Sequence, residues 1–430
     1  MFVQVHPQVV VIPTLNCAIH TGTGKLLTSG DEYARVRTVL DSLDTILLAT
    51  DIPLLENKFL VLAHDLPHVN DLVRSEINTL LTSVGALAVM PTERCNFRCT
   101  YCYETFEKGR MRPEIVAAIK SFLVREFEHL PMYNLSWFGG EPLLAFDIID
   151  DLSTEFRRLQ KLHGTRGSLS ITTNGSLLNR PMVDRLSELD LNLAHISVDG
   201  PKELHNRQRR SLNGQDSYEQ ILNGIEMLLE LTQCNILFRV NVETRYEASG
   251  RIISNWLAES IVPRFSRFSS RIQYHAVSIW DASTKAVDGI CLDDIGRFQT
   301  LWHIRESIAA ASGMSMAELL RLDMQSVGSM ACYAGRPHHY VAGSDGSIYK
   351  CTVAFDLDAN RIGAFQSDGS VRFDKDKENI WIGANVLTDT SCAGCRFGSS
   401  CLGLHCPLTR MQTSKPPCPS VKRHLNILKG

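Results

Sequence analysis

Ten of the chain's thirteen cysteines fall into two bands, and this distribution limits what the chain can fold around more than any other feature. Three lie on one short stretch, Cys95-Asn-Phe-Arg-Cys99-Thr-Tyr-Cys102, and seven lie between Cys332 and Cys418. Cys17, Cys234 and Cys291 stand alone and read as small buried hydrophobes. The stretch Met1 to Asn16 has an apolar run, Val9 to Ile12, with no basic n-region before it and with Pro13 interrupting it. No secretory signal is expected from that pattern, and the cytoplasm is the simplest location. Banded cysteines in such a chain point to metal or cluster ligation rather than to disulfides.

Composition narrows the partners. With 44% hydrophobic and 21% charged residues the chain can bury a sizeable core. The formal net charge is −3, and no long Lys/Arg block occurs, so neither nucleic acid nor a membrane surface is expected as a partner. No apolar run approaches the ~20 residues of a membrane span.

From Gly85 short apolar runs alternate with amphipathic stretches. Six runs read as strands: Ala86–Met90, Asn134–Phe138, Ser168–Thr172, Leu193–Val198, Ile236–Val242 and Arg271–Val277. Between them, Ile115, Ile119, Phe122, Leu123 and Phe127 follow a helical spacing, as do Ile221, Leu222, Ile225, Leu228 and Leu229. Alternating strands and helices predict an α/β fold with a parallel sheet. Six units fall short of the eight of a closed barrel, so a partial (β/α)6, TIM-like barrel is expected, with its functional loops at the strand C-termini. Three domains follow: residues 1–85, with helical patterns at Tyr33–Leu43 and Val69–Leu81 and an apolar run at Phe59–Ala63; the barrel, 86–325; and a cysteine-rich region, 326–430, where ligation would supply the staples that a small core lacks.

The first cysteine group sits on a loop leaving the first strand. Three thiolates on a [4Fe–4S] cluster leave one iron open to another ligand. A structural zinc site would ask for a second pair of Cys or His. A zinc-stabilised binding protein and an electron carrier are therefore the competing classes. Gly139-Gly140-Glu141-Pro142 follows the second strand, where glycines let backbone approach a ligand closely. Thr172-Thr173-Asn174-Gly175 follows the third; Ser197-Val198-Asp199-Gly200, with His205 and Arg209 beyond, follows the fourth; Arg239-Val240-Asn241 lies on the fifth. Arg and Asn in an apolar run are costly to bury unpaired, so ligand contact and structural hydrogen bonding are both open for Arg239.

These motifs together resemble the radical S-adenosylmethionine (SAM) family, in its peptide-maturing and sulfatase-maturating branch. The resemblance implies that Cys95, Cys99 and Cys102 bind a [4Fe–4S] cluster whose open iron is chelated by SAM. It implies that Gly139, Gly140, Glu141 and Pro142 hold the methionine end of SAM, and that Thr173, Asn174, Ser197, Asp199, Arg209, Arg239 and Asn241 surround its ribose and carboxylate. Tyr101 is expected to pack on adenine or simply within the loop. The chain has Asn206 where the branch usually has Asp.

The C-terminal array, Cys332, Cys351, Cys392-x2-Cys395-x5-Cys401-x4-Cys406 and Cys418, resembles the SPASM extension, which carries two auxiliary [4Fe–4S] clusters. The family pattern has three residues between the pair that is separated here by Leu402 to His405. The resemblance implies an outer cluster on Cys392, Cys395, Cys401 and Cys418, and an inner one on Cys332, Cys351 and Cys406. The inner set lacks a fourth cysteine; His338 or His339, or an open iron, stands in that place. Imidazole ligation of iron–sulfur centres is known chemistry.

What the resemblance implies about activity is reductive cleavage of SAM to a 5′-deoxyadenosyl radical. That radical abstracts hydrogen from a ribosomally made peptide to install a crosslink or an oxidation. The alternative is oxidation of a sulfatase Cys or Ser to formylglycine. Partners would be a peptide or protein substrate and an electron donor such as flavodoxin or ferredoxin. Asp281, after the sixth strand, is a candidate proton acceptor by location alone.

Overall fold

The computed structural model describes residues 1–21, 23–28, 30–42, 45–243, 247–279, 294–324, 326–366 and 368–424. The chain divides into two units, one of Ser83–Gly313 and His338–Glu378, the other of Met1–Thr82, Met314–Pro337 and Asn379–Gly430. Residues 326–430 therefore contribute to both.

In the first unit all six expected strands form: β1 (Val84–Val89), β2 (Met132–Trp137), β3 (Leu169–Thr173), β4 (Leu193–Ser197), β5 (Asn235–Val242) and β6 (Ile272–Ser278). They pair in parallel in the order β6-β5-β4-β3-β2-β1. The main helices alternate with them: α1 (Pro113–His129), α2 (Phe146–His163), α3 (Arg180–Glu188), α4 (Tyr218–Leu231), α5 (Glu247–Trp256) and α6 (Asp294–Ser312). Local chemistry sets their ends. Pro113 opens α1, Asn179 caps α3 by accepting from the Met182 N–H at 3.1 Å, and Gly164, in the left-handed region, closes α2. Residues alternate along β2: Tyr133, Leu135 and Trp137 are fully buried. Each such side chain contributes about 1.5–3 kcal/mol of transfer free energy.

The sheet does not stop at six strands. β7 (His339–Ala342) lies parallel to β1, and β8 (Ser347–Tyr349), β9 (Arg361–Phe365) and β10 (Val371–Phe373) continue antiparallel. The result is a ten-stranded open sheet, with β6 and β10 at its edges among the described residues. Phe122 on α1 meets Tyr340 and Phe365 edge-on, so the added strands share the barrel's core.

In the second unit Phe2–Val5 lies between Thr45–Ile46 and Leu60–Leu62, and Val9–Ile12, Cys17–His20 and Lys25–Thr28 form an antiparallel meander. The two expected helices appear as Asp31–Leu40 and Leu66–Ser83. Val3, Tyr33, Val36, Leu54 and Leu60 form one core. Ile77 and Leu81 pack with Leu402 and Leu404, which ties the C-terminal segment to the N-terminal one. Cys17 and Cys234 are buried, as lone cysteines should be; Cys291 lies outside the described residues. No helix among the described residues is long and apolar enough to cross a membrane.

Candidate active site

The named polar positions of the first unit gather at the C-terminal ends of β1 to β5. The cysteine loop follows β1, and its Phe97–Cys99 strand pairs antiparallel with Arg209–Ser211, placing Cys99 opposite Arg209. The Gly139–Glu141 turn clamps this loop from the β2 side. Gly140 N–H donates to Thr92 O at 3.2 Å and Glu141 N–H to Arg94 O at 2.9 Å. A Cβ on Gly140 would stand 2.3 Å from Glu93 O, and one on Gly139 (φ +112°) 2.6 Å from Thr92 O. The close approach that these glycines permit is to the backbone of the cysteine loop. Pro142 then opens a short 3-10 turn.

Glu141 is completely buried and acts as a bracket. Its carboxylate accepts from Thr173 Oγ1 at 2.6 Å, Leu143 N–H at 3.0 Å and Asn174 N–H at 2.8 Å, joining the β2 turn to the end of β3. Burial raises its pKa, and these bonds act against that rise. Asn174 passes the connection back to the cysteine loop: its Nδ2 donates to Asn96 Oδ1 at 2.8 Å and lies 3.9 Å from Cys95 Sγ. Its Oδ1 accepts from Ser176 Oγ at 2.6 Å.

A second network centres on Asp199, also fully buried. Asp199 Oδ1 accepts from Asn241 N–H at 2.9 Å and Asn241 Nδ2 at 3.0 Å; Oδ2 accepts from the Tyr101 hydroxyl and lies 3.7 Å from Arg209 Nη1. The Tyr101 hydroxyl in turn accepts from Arg209 at 2.7 Å and from Asn241 at 3.1 Å. Arg239 Nε donates to Asn241 Oδ1 at 3.0 Å, and Ser197 stands in register with Arg239 at the end of β4. His205 Nδ1 accepts from the Asp199 N–H at 3.3 Å. Two buried polar atoms here have no hydrogen-bond partner, Arg209 Nε and Gln208 Oε1. Orphaned donors and acceptors at a polar site mark where a ligand's polar groups fit.

Electrostatics follow burial. Burial pushes the Cys95 thiol up to about 11 and also raises Cys99. Glu104, two residues past Cys102, is pushed up to about 8, by burial first and then by Glu93. Four polar residues not anticipated from the sequence complete the rim. Lys108 donates to the Tyr349 hydroxyl at 2.6 Å and sits 3.2 Å from Asp345 and 3.8 Å from Glu93. Partners so distant in sequence leave no local signal. Asn96, by contrast, lies inside the cysteine motif itself. Asp281 lies outside the described residues.

The C-terminal cysteines separate. Cys392, Cys395, Cys401 and Cys418 line one pocket with Phe397, Pro416 and Lys422, and Lys422 Nζ lies 3.1 Å from Cys395 Sγ. In the same unit the segments carrying Cys332 and Cys406 run side by side: Cys332 N–H donates to Leu404 O at 2.7 Å and His405 Nδ1 lies 3.1 Å from Met330 O. Cys351 belongs to the other unit, where it is buried after β8 and its N–H donates to Asn360 Oδ1 at 2.8 Å. His338, also in that unit, has φ +56° and holds Nδ1 3.9 Å from Glu126 Oε2 on α1. His339 is buried at the start of β7. Among the described residues no three His, Cys, Asp or Glu side chains gather as ligands of a single ion do.

Comparison with known proteins agrees with this layout. Residues 89–242 match the Radical SAM superfamily. A cysteine-type anaerobic sulfatase-maturating enzyme of Clostridium perfringens is 26% identical over 329 residues, 72% of this chain and 85% of that protein. One from Clostridium novyi is 24% identical over 345 residues, 75% of this chain and 87% of that protein. Among solved structures, anSMEcpe with bound AdoMet and Cp18Cys peptide superposes with a TM-score of 0.56 at 22% identity, covering 80% of this chain and 98% of that one. Streptococcus suis SuiB bound to its precursor peptide SuiA gives 0.50 at 12% identity, covering 96% and 98%. These two structures share the fold.

Proposed function

We propose, from the premise that this chain is a radical SAM enzyme, that it oxidatively modifies a ribosomally made peptide, leaving a crosslink or an oxidised residue. The observation that carries the reading is the convergence at the ends of β1 to β5: the cysteine loop, the glycine turn, Glu141, Asn174 and Asp199 are knitted into two hydrogen-bonded networks on one side of the sheet.

In this reading Cys95, Cys99 and Cys102 hold the cluster, and the buried orphan atoms of Arg209 and Gln208 await the polar groups of SAM. When bound and reduced by one electron, the pair supplies methionine and a 5′-deoxyadenosyl radical able to abstract an unactivated hydrogen. The chain's own residues prepare the place. Gly139 and Gly140 lock the cysteine loop to β2. Glu141 fixes the end of β3. Asp199 holds Tyr101, Arg209 and Asn241 in a single arrangement, so that little reorganisation remains when SAM arrives. The buried strand ends keep water from a reactive species. Cys392, Cys395, Cys401 and Cys418, which line one pocket within one unit, fit an auxiliary cluster as a closed set.

Two observations weigh on the substrate. The likeness to SuiB covers nearly the whole chain, including the N-terminal segment, and SuiB is seen with a precursor peptide. The Clostridium relatives are sulfatase-maturating enzymes, which supports the second reading, conversion of a sulfatase cysteine or serine to formylglycine. The test is anaerobic reconstitution with iron and sulfide, then incubation with SAM, reductant and one of two peptides: a short peptide encoded beside this gene, or a sulfatase-derived peptide. Stimulated 5′-deoxyadenosine and loss of two hydrogens from the gene-adjacent peptide is the expected result. Formylglycine in the sulfatase peptide selects the second reading, and no 5′-deoxyadenosine with either ends both.

A further inference from the structure

The strands β1 to β6 carry one permanently charged side chain, Arg239; none of them holds Asp, Glu or Lys. Alternation decides which way it faces. Phe238 and Val240 are fully buried, and Phe238 packs on Trp256 of α5 and on Phe265. Arg239 therefore projects from the opposite face of the sheet, away from α5. In register beside it stand Ser197 on β4 and His275 on β6, and His195 precedes Ser197 by two residues on the same face. Arg239, Ser197 and His195 are half-buried and His275 is exposed, so this face is open. Burial, followed by the Arg239 charge, lowers His195 to about 4, which leaves that imidazole neutral at pH 7.

Arg239 is held in place but not paired. Its Nε donates to Asn241 Oδ1 at 3.0 Å; among the described residues its two Nη groups meet no acceptor and no carboxylate lies within ion-pair distance. Asp199, the carboxylate at the end of β4, is taken up by Asn241, Tyr101 and Arg209. The two arginines of the site thus differ. Arg209 stands opposite Cys99 and, with its orphaned Nε, is the one placed to meet SAM. Arg239 is linked to the cysteine loop only through Asn241. A half-buried guanidinium without a counter-ion is a costly arrangement that an arriving anion relieves, and its planar fork matches a carboxylate with two parallel bonds. We propose that Arg239 is a specificity-determining residue: it binds a carboxylate of the peptide substrate, an Asp or Glu side chain or the C-terminus, and so sets which carbon is presented to the SAM site. The inference rests on the reading of this chain as a radical SAM enzyme that acts on a peptide.

The test uses the reconstituted full chain and, of the gene-adjacent and sulfatase-derived peptides, the one that wild type modifies. Copies of that peptide have each acidic residue replaced in turn by its amide, and one further copy ends in a C-terminal amide. With wild type, one copy is expected to lose about 10- to 100-fold in kcat/KM for peptide modification, and which copy it is tells a side-chain carboxylate from the C-terminal one. Arg239→Gln should lose a similar factor with the parent peptide and should no longer distinguish that copy from the parent. Arg239→Lys, which keeps the charge but not the fork, should fall between. Equal kcat/KM for wild type with every copy overturns the proposal, and no variant has to fold for that result. So do losses that multiply when the copy is given to Arg239→Gln, because the two groups then do not meet. A defect in Arg239→Gln that a higher SAM concentration repairs also overturns it, because the guanidinium then serves the cofactor. The peptide reading fails differently: wild type would modify neither parent peptide, and the assignment of Arg239 would fall with it.

Discussion

The molecule holds sulfur in two different settings. At the strand ends of the barrel three cysteines share a loop that is tied down by buried carboxylates, amides and an arginine. In the C-terminal segment four cysteines line a pocket among prolines and a phenylalanine, with one lysine reaching a sulfur. The first setting is short of one thiolate and rich in preorganised polar groups, as a site that must bind a second, polar ligand should be. The second has four cysteines and little polar machinery, which on the proposed reading would suit a centre that stores or relays electrons. Ligand number and the chemistry of the lining thus point to different tasks for similar motifs.

The largest effect should come from breaking the first setting. Cys99→Ala is expected to abolish 5′-deoxyadenosine formation, measured by chromatography, whereas Cys401→Ala should still cleave SAM while losing most conversion of the peptide. Equal losses would remove the distinction.

Next comes the bracket. Glu141→Gln turns an acceptor of three donors into a group with its own N–H2, leaving Thr173 or Asn174 facing a donor. This should destabilise the barrel by about 2 kcal/mol in denaturant unfolding and weaken SAM binding. A change below about 1 kcal/mol would show that the network is ornamental.

Acid should also distinguish the two settings. Burial, followed by the Arg209 charge, lowers His205 to about 4 from its ordinary 6.5. The folded state therefore sheds the proton. Its stabilising contribution is complete above pH 6.5 and declines as pH falls from 6.5 toward 4, by roughly 3 kcal/mol in all. Hydrogen exchange at the Asp199 amide, which His205 Nδ1 accepts from, should accelerate over that range more than exchange at Cys401. The smallest effect is at Lys422→Met. If the four cysteines hold the proposed outer cluster, removing a cationic donor from Cys395 should shift its midpoint potential to a more negative value in an EPR titration, with unfolding stability changed by less than about 1 kcal/mol.

The sequence made some of this legible and hid the rest for physical reasons. Six strands and the helices between them follow from local periodicity: Leu87 and Val89, or Tyr133, Leu135 and Trp137, are buried because alternate residues face the core. The glycine turn, Asn174 and Asp199 could be picked out because each stands at the end of such a run. The extension of the sheet through β7 to β10 could not. It depends on Tyr340 and Phe365 packing on Phe122, more than two hundred residues earlier in the chain, and no local pattern announces so distant a pairing. Nor did the sequence show that Glu141 would face Thr173 and Asn174, or that the Tyr101 hydroxyl would join Asp199, since both are products of the fold.

The central claim is that the three-cysteine loop holds a cluster with a place for SAM. The most direct test is the EPR spectrum of the anaerobically reduced protein before and after SAM is added, recorded for wild type and for a Cys95→Ala/Cys99→Ala/Cys102→Ala variant. The account predicts a spectrum that SAM perturbs in wild type and leaves untouched in the variant, with about four irons fewer in the latter. A wild-type spectrum indifferent to SAM, or a variant that responds as wild type does, would contradict it.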